Sequence, residues 1–210
     1  MANPMTLLDG LKMEYSNKVY TPAEDSDLLA RAVEHHAFGR VLDLGTGSGI
    51  QGIIAAMKGC EVTFADINPD ALELARRNAD LNGVPGTFVR TNLFSRVKGK
   101  FNTIIFNPPY VPSAPLAKGR MNIHSVVKPF RRLDINRPKR IYPALDGGTR
   151  GREVIDRFLS QYGKHLLKAH IVLMVESSFN GYKKDVKRLN AEIVGHSHYF
   201  FEDLVVLKFR

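Results

Sequence analysis

The chain has 210 residues, of which 44% are hydrophobic and 24% are charged, and its formal net charge is +9. These proportions are ordinary for a globular domain with a sizeable core. No apolar run approaches the ~20 residues that a membrane-spanning helix needs, and residues 1–5 do not resemble a signal peptide. The single cysteine, Cys60, excludes an internal disulfide and a cysteine-based zinc site. We therefore expect a cytoplasmic protein that forms one domain over residues 1–210.

The positive charge is concentrated in one segment. Residues 113–140 contain eight Lys and Arg side chains against one Asp, a net charge of +7, which leaves +2 for the rest of the chain. Such a density of cations favours contact with nucleic-acid phosphates. Aromatic residues are sparse there, only Phe130 and the nearby Tyr142, which argues against base stacking. We predict that 113–140 is a basic insertion with a possible RNA contact.

The apolar pattern alternates between helical and strand periodicity along the whole chain. In chain order it predicts a helix opened by a capping box at Thr21-Pro22-Ala23-Glu24 and running through Val33, a strand at 41–44, a helix at 49–57, a strand at 61–66, a helix from 68 to 83, strands at 87–90 and 102–106, a helix at 153–168, a strand at 171–175, a helix at 182–191, and strands near 192–198 and 204–209. This alternation predicts an α/β fold with a mostly parallel, seven-stranded sheet and helices on both faces. The short connection between the last two strands predicts an antiparallel pair.

A glycine-rich turn follows the first predicted strand. Its sequence is Asp43-Leu44-Gly45-Thr46-Gly47-Ser48-Gly49, and glycine permits both positive φ and close approach of a ligand to the backbone. The dinucleotide fingerprint would need glycine where Ile50 stands. Asp66 ends the second strand, where an acid can bind both ribose hydroxyls. This combination resembles the S-adenosylmethionine site of class I methyltransferases.

Asn107-Pro108-Pro109-Tyr110 directly follows the strand at 102–106. A strand that ends in two prolines stops donating hydrogen bonds, so the carbonyl of Pro108 is expected to be free to accept one. The Asn107 amide oxygen is a second acceptor, and Tyr110 adds a flat ring. Two acceptors and a stacking face suit a planar –NH2 group, either an amide or an exocyclic base amine. We predict an enzyme that orients this nitrogen for transfer and relieves its developing charge.

Five motifs occur in one order and carry a family resemblance: Val19-Tyr20-Thr21-Pro22-Ala23-Glu24-Asp25-Ser26, the glycine turn, Asp66-Ile67-Asn68-Pro69, Asn107-Pro-Pro-Tyr-Val-Pro112, and Asp146-Gly-Gly-x-x-Gly-Arg-Glu-Val154. The chain resembles HemK-like glutamine methyltransferases, and more narrowly the short archaeal and eukaryotic branch that lacks the bacterial N-terminal helical domain. The resemblance implies the class I (Rossmann-like) fold and methylation of the glutamine in the Gly-Gly-Gln loop of translation termination factors. It also implies a small zinc-binding activator subunit as a partner.

The motifs, taken together with the resemblance, predict the roles of individual residues. The target amide would be bound by Asn107, Pro108, Pro109 and Tyr110, with Asn107, Pro108 and Tyr110 catalytic. S-adenosylmethionine would be bound by Asp25, Ser26, Asp43, Gly45, Gly47, Asp66, Ile67, Asn92, Leu93 and Asn107. No metal is expected. Asn92 stands where such enzymes usually have an aspartate that accepts from the adenine amino group, and Asp25 and Ser26 could instead cap the first helix.

Two other functions remain open from the sequence. The first is methylation of a nucleic-acid base at adenine N6 or guanine N2, because an amide and a base amine have the same planar geometry. The second is a binding module that has kept the cofactor fold without catalysis.

Overall fold

The structure is a computed structural model that describes residues 10–111, 146–199 and 202–210. The basic segment 113–140 therefore lies outside the described residues, and so does the prediction of an RNA contact through it. Within the described ranges, no helix combines the length and the apolar character that crossing a bilayer requires.

The described chain forms one seven-stranded sheet with helices packed against it. In chain order the elements are α1 (Glu24–His36), β1 (Arg40–Leu44), α2 (Ile50–Met57), β2 (Glu61–Asp66), α3 (Pro69–Leu81), β3 (Thr87–Arg90), β4 (Phe101–Phe106), α4 (Glu153–Leu159), a 3₁₀ turn (Tyr162–His165), β5 (Leu166–Ser177), α5 (Lys183–Leu189), β6 (Glu192–Tyr199) and β7 (Glu202–Phe209). The strand order is β3-β2-β1-β4-β5-β7-β6. Strands β1 to β5 pair in parallel, and β7 is antiparallel to both β5 and β6. The predicted α/β architecture is confirmed.

The central strands form the core because helices cover both faces of the sheet. Four of the five residues of β1 and five of the six residues of β4 are buried, as expected for parallel strands with two covered faces. The strand order reverses at β1, which pairs with β2 on one side and with β4 on the other. Open α/β sheets bind ligands outside the carboxyl ends of the strands at such a switch point.

Two predicted helix boundaries are wrong. The first helix begins at Glu24, with Ala23 rather than Thr21 at the N-cap position, so it starts two residues later than the predicted first helical position at Pro22. The predicted helix 153–168 ends at Leu159, and β5 begins at Leu166. Leu166 pairs with Phe101 of β4, so pairing in the sheet overrides the local helical pattern there.

Arg152 joins three elements at the end of β5. Its guanidinium lies 2.6 Å from Asp185 of α5 and 3.5 Å from Glu176 of β5, and it donates to Asp156 of α4 at 2.9 Å. Glu176 is fully buried, and burial together with neighbouring Asp185 raises the pKa of its carboxyl group. Arg152 thus links α4 and α5 to the end of β5, and the buried carboxyl groups of Glu176 and Asp185 would be costly without this partner.

Glu202, the first residue of β7, makes the stability of the fold depend on pH. Its carboxylate accepts from the Ser177 hydroxyl at 2.6 Å, and burial raises its pKa from 4.5 to about 7. Between those two pH values the folded protein holds a proton that the unfolded chain has released, so stability falls as pH rises. Between pH 5 and pH 8 the free energy of unfolding of Glu202→Gln should therefore fall by roughly 2.5 kcal/mol less than that of the unmodified protein.

Urea unfolding of both proteins at pH 5 and pH 8 measures this difference. Glu192→Gln is the matched control. Glu192 pairs with Lys208 at 2.6 Å, which lowers its pKa, so it stays ionised throughout this pH range. Equal pH dependence in Glu202→Gln and the unmodified protein would contradict the assignment.

Candidate active site

A cavity of about 640 Å³ opens at the carboxyl ends of β1, β2 and β4. Every residue that the sequence predicted for the site lines it: Asp25, Ser26, Asp43, Gly45, Gly47, Asp66, Ile67, Asn92, Leu93, Asn107, Pro108, Pro109 and Tyr110. Parallel register brings the two main motifs together, because Leu44 at the end of β1 pairs with Phe106 at the end of β4. The glycine turn and Asn107 therefore leave the sheet side by side.

Asp43 holds the glycine turn in place through hydrogen bonds. The Asp43 carboxylate is buried and accepts from the Thr46 hydroxyl at 2.5 Å and from the backbone N–H of Gly52 at 3.0 Å. Burial raises the pKa of Asp43 to about 6. Gly49 has φ of +88°, and a Cβ there would lie 3.0 Å from Ala75 of α3. The turn thus needs glycine for its conformation and for the close packing of α2 on α3.

Asp66 connects the end of β2 to the glycine turn. One carboxylate oxygen accepts from the backbone N–H of Gly47 at 3.0 Å, and the other accepts from that of Asn68 at 2.9 Å. Burial raises the pKa of Asp66. Each carboxylate oxygen can accept a second bond, so Asp66 retains the capacity to bind a ribose hydroxyl. The next residue, Ile67, is 59% exposed, which leaves an apolar surface at the cavity for a base.

Arg157 of α4 is a site residue that the sequence analysis missed. Its guanidinium donates to the amide oxygen of Asn92 at 3.1 Å, and both residues line the cavity. The acceptor assigned to the adenine amino group is therefore already bonded to Arg157. The adjacent Leu93 has φ of +47°, a conformation that is rare outside glycine and frequent at ligand sites. No local pattern pairs Arg157 with Asn92, because they are 65 positions apart.

The Asn107 amide is held at one end and unpaired at the other. Its Nδ2 donates to the Asp25 carboxylate at 2.8 Å. Its Oδ1 is buried and has no hydrogen-bond partner among the described residues. An unpaired buried acceptor costs about 1–3 kcal/mol, and native proteins keep such groups mainly where function requires them. Asn107 therefore offers an acceptor that is prepared for a donor from a bound substrate.

The residues after Asn107 are supported by the last sequence motif. Val111 forms a parallel bridge with Asp146, and the backbone N–H of Gly147 donates to the Val111 carbonyl at 3.0 Å. A Cβ on Gly147 would lie 2.8 Å from the carbonyl oxygen of Pro109, so only glycine permits this packing. The Asp146-Gly-Gly motif thus packs against the end of Asn107-Pro-Pro-Tyr and supports its conformation.

Pro108 and Tyr110 differ in what they present to the cavity. Among the described residues, no backbone N–H donates to the Pro108 carbonyl. Tyr110 lines the cavity but is only 4% exposed, and burial raises the pKa of its hydroxyl well above the usual value. Little of its ring is therefore open for stacking in the free protein.

This fold and this cavity define a class I methyltransferase that uses S-adenosylmethionine. The family model of the methyltransferase small domain matches residues 17–125. The chain belongs to this family, in agreement with the HemK-like resemblance of its motifs.

Similar proteins carry related names. A Methanocaldococcus jannaschii protein, provisionally named a protein N5-glutamine methyltransferase, is 36% identical over 206 residues, which cover 95% of each chain. The release factor glutamine methyltransferase of Agrobacterium fabrum is 31% identical over 205 residues, covering 91% of this chain and 63% of that protein. The E. cuniculi Mtq2-Trm112 complex, described as responsible for methylation of the eRF1 termination factor, has a chain with a TM-score of 0.64 and 26% identity, covering 92% of this chain and 98% of that one.

Removal of the Asp66 carboxylate is expected to weaken cofactor binding. If Asp66 accepts from ribose, Asp66→Ala should raise the dissociation constant of S-adenosylhomocysteine about 10- to 100-fold, the usual effect of losing a hydrogen bond to a charged group. Titration calorimetry measures this. Asp80→Ala, at an exposed position of α3, is the control and should bind normally. Unchanged affinity in Asp66→Ala would refute the ribose assignment.

Proposed function

We propose that this protein transfers a methyl group from S-adenosylmethionine to the side-chain nitrogen of the glutamine in the Gly-Gly-Gln loop of a translation termination factor. The observation that carries the proposal is the buried, unpaired Oδ1 of Asn107 beside the Pro108 carbonyl. These two acceptors suit the two N–H bonds of a primary amide. The names of the similar proteins support glutamine as the amide.

The proposed mechanism depends on orientation and charge. S-adenosylmethionine supplies an electrophilic methyl group on a sulfonium sulfur. An amide nitrogen is a weak nucleophile because its lone pair is delocalised. Asn107 Oδ1 and the Pro108 carbonyl would accept from the amide, aim its nitrogen at the methyl group and offset the positive charge that develops. As the N–C bond forms the S–C bond breaks, and the nitrogen releases one proton to solvent. No metal or covalent enzyme intermediate is needed.

The residues around the cavity fit the cofactor by chemical type. Asp66 would hold the ribose, Ile67 and Leu93 would pack against adenine, and the backbone of Gly45 and Gly47 would allow the methionine portion to approach closely. The buried carboxylates beside the cavity would favour a cationic sulfonium ligand.

We also propose that a small zinc-binding activator subunit joins this protein. The Mtq2 chain is seen in complex with Trm112, and the resemblance implies pairing with an edge strand. In the described part of this chain β3 has a neighbour on one side only, β2, so its other edge could accept a strand. We further propose that the cationic residues of 113–140 contact RNA, on the basis of their charge alone.

The proposal is tested with radiolabelled S-adenosylmethionine and two substrates in parallel, a termination factor and total RNA. Each reaction is run with and without a candidate activator subunit. We expect label on the factor, and no label when its Gly-Gly-Gln glutamine is replaced by alanine. Label on RNA alone would overturn the proposal in favour of base methylation. Measurable cofactor binding without label on either substrate would also count against it.

Asn107→Ala should separate chemistry from cofactor binding. We expect the transfer rate to fall at least ~100-fold, in the range seen when a transition-state hydrogen-bonding group is removed. Calorimetry with S-adenosylhomocysteine should show an affinity within a few-fold of the unmodified protein. A transfer rate that survives within a few-fold would contradict the mechanism.

A further inference from the structure

The residue that holds Asn107 comes from a distant part of the chain. Asp25, in the first turn of α1, accepts from Asn107 Nδ2 at 2.8 Å although 82 positions separate the two residues. Asp25 is 2% exposed. Water therefore does not compete for this bond, which is made between an ionisable carboxylate and a neutral amide.

Asp25 is itself fixed in place by its neighbours. One of its oxygens accepts from the Tyr20 hydroxyl at 3.0 Å and from the backbone N–H of Ser26 at 2.7 Å. Burial and the nearby Asp25 raise the pKa of Tyr20 well above its usual value, so the phenol keeps the proton that it donates. The carbonyl of Ser26 accepts from Gln51 at 2.9 Å, which joins this turn of α1 to α2.

The chemistry of the pair dictates which way the amide faces. An ionised carboxylate only accepts hydrogen bonds, so it can bind the –NH2 end of the Asn107 amide and not its oxygen. Rotation of the amide by 180° would direct its –NH2 end to the position now held by Oδ1. Two donors, one from Asn107 and one from a substrate amide, would then oppose each other. The carboxylate thus decides whether Asn107 presents an acceptor.

We propose that Asp25 is a positioning residue that orients the Asn107 amide for the substrate, rather than a ligand of the cofactor as the sequence analysis expected. The inference rests on the proposed transfer to a planar –NH2 group. It assigns to the motif Val19–Ser26 a role in substrate alignment, which Asp25 exerts through its hydrogen bond to Asn107.

The test exchanges the carboxylate of Asp25 and the amide of Asn107. Asp25→Asn is expected to lower the rate of transfer about 100-fold, because the new amide can donate to Oδ1 and turn Asn107 around. Asn107→Asp is expected to lower the rate of transfer by a similar factor, because the new carboxylate at position 107 would lie against that of Asp25. The double variant Asp25→Asn/Asn107→Asp restores one donor and one acceptor, and leaves a carboxylate oxygen at position 107 for the substrate. It should be at least about 10-fold faster than either single variant.

Asp27→Asn is the matched control. Asp27 lies in the same turn of α1 and pairs with Arg31 at 3.1 Å, away from the cavity. We expect its rate to stay within about 2-fold, since Asp27 does not line the cavity and the amide oxygen of an asparagine can still accept from Arg31. All four variants should bind S-adenosylhomocysteine within about 3-fold of the unmodified protein. A double variant no faster than the single variants, or cofactor binding lost in Asp25→Asn, would overturn the proposal.

A second measurement does not depend on the substrate. In ¹⁵N-labelled protein the Asn107 side-chain –NH2 should show slow proton exchange that Tyr20→Phe accelerates, because that change removes one of the bonds that hold Asp25. Fast exchange in the unmodified protein would overturn the orientation even if Asp25→Asn fails to fold. If the unmodified protein does not label the termination factor, the proposed function fails while this measurement still decides the orientation.

Discussion

The site depends on the parallel pairing of β1 with β4. Because Leu44 and Phe106 lie opposite each other, the glycine turn and Asn107-Pro-Pro-Tyr leave the sheet at the same level. A Cβ on Gly45 would lie 4.0 Å from the backbone oxygen of Asn107, which shows how close the two turns are. A shift of one residue in this register would turn every side chain of one strand to the other face. The buried faces of both strands exclude such a shift, so the hydrophobic core determines the distance between cofactor and acceptor.

The electrostatic environment of the cavity is opposite to that of the chain as a whole. The protein has a net charge of +9, yet Asp25, Asp43 and Asp66 line the cavity. Burial raises the pKa of Asp43 and of Asp66, which means that the folded protein disfavours their negative charges. A positively charged ligand relieves this cost. Binding of a sulfonium cofactor and the stability of these carboxylates should therefore reinforce each other.

Elements and site motifs whose contacts lie close in sequence can be predicted from the sequence, whereas those that depend on distant residues cannot. Strands Glu61–Asp66 and Thr87–Arg90 have the bounds that the sequence predicts, because short apolar runs between turn residues determine them. The glycine turn and Asn107-Pro-Pro-Tyr are also recognisable as motifs. The predicted end of the helix after Glu153 is wrong, because Leu166 is drawn into the sheet by β4. Arg157 escapes prediction for a similar reason, since its bond to Asn92 spans 65 positions.

The part of the cavity assigned to the cofactor and the part assigned to the methyl acceptor differ in how far apart in sequence their bonded residues lie. In the cofactor half the two carboxylates are held within consecutive β–α units, because Asp43 and Asp66 bond to groups at most 19 positions away along the chain. The acceptor half requires α1, β4 and the Asp146-Gly-Gly motif to meet, and the bond from Asn107 to Asp25 alone spans 82 positions. Local sequence therefore suffices to predict a nucleoside-type cofactor. The orientation of the Asn107 amide is a property of the assembled fold, because it depends on a carboxylate that no local pattern places beside it.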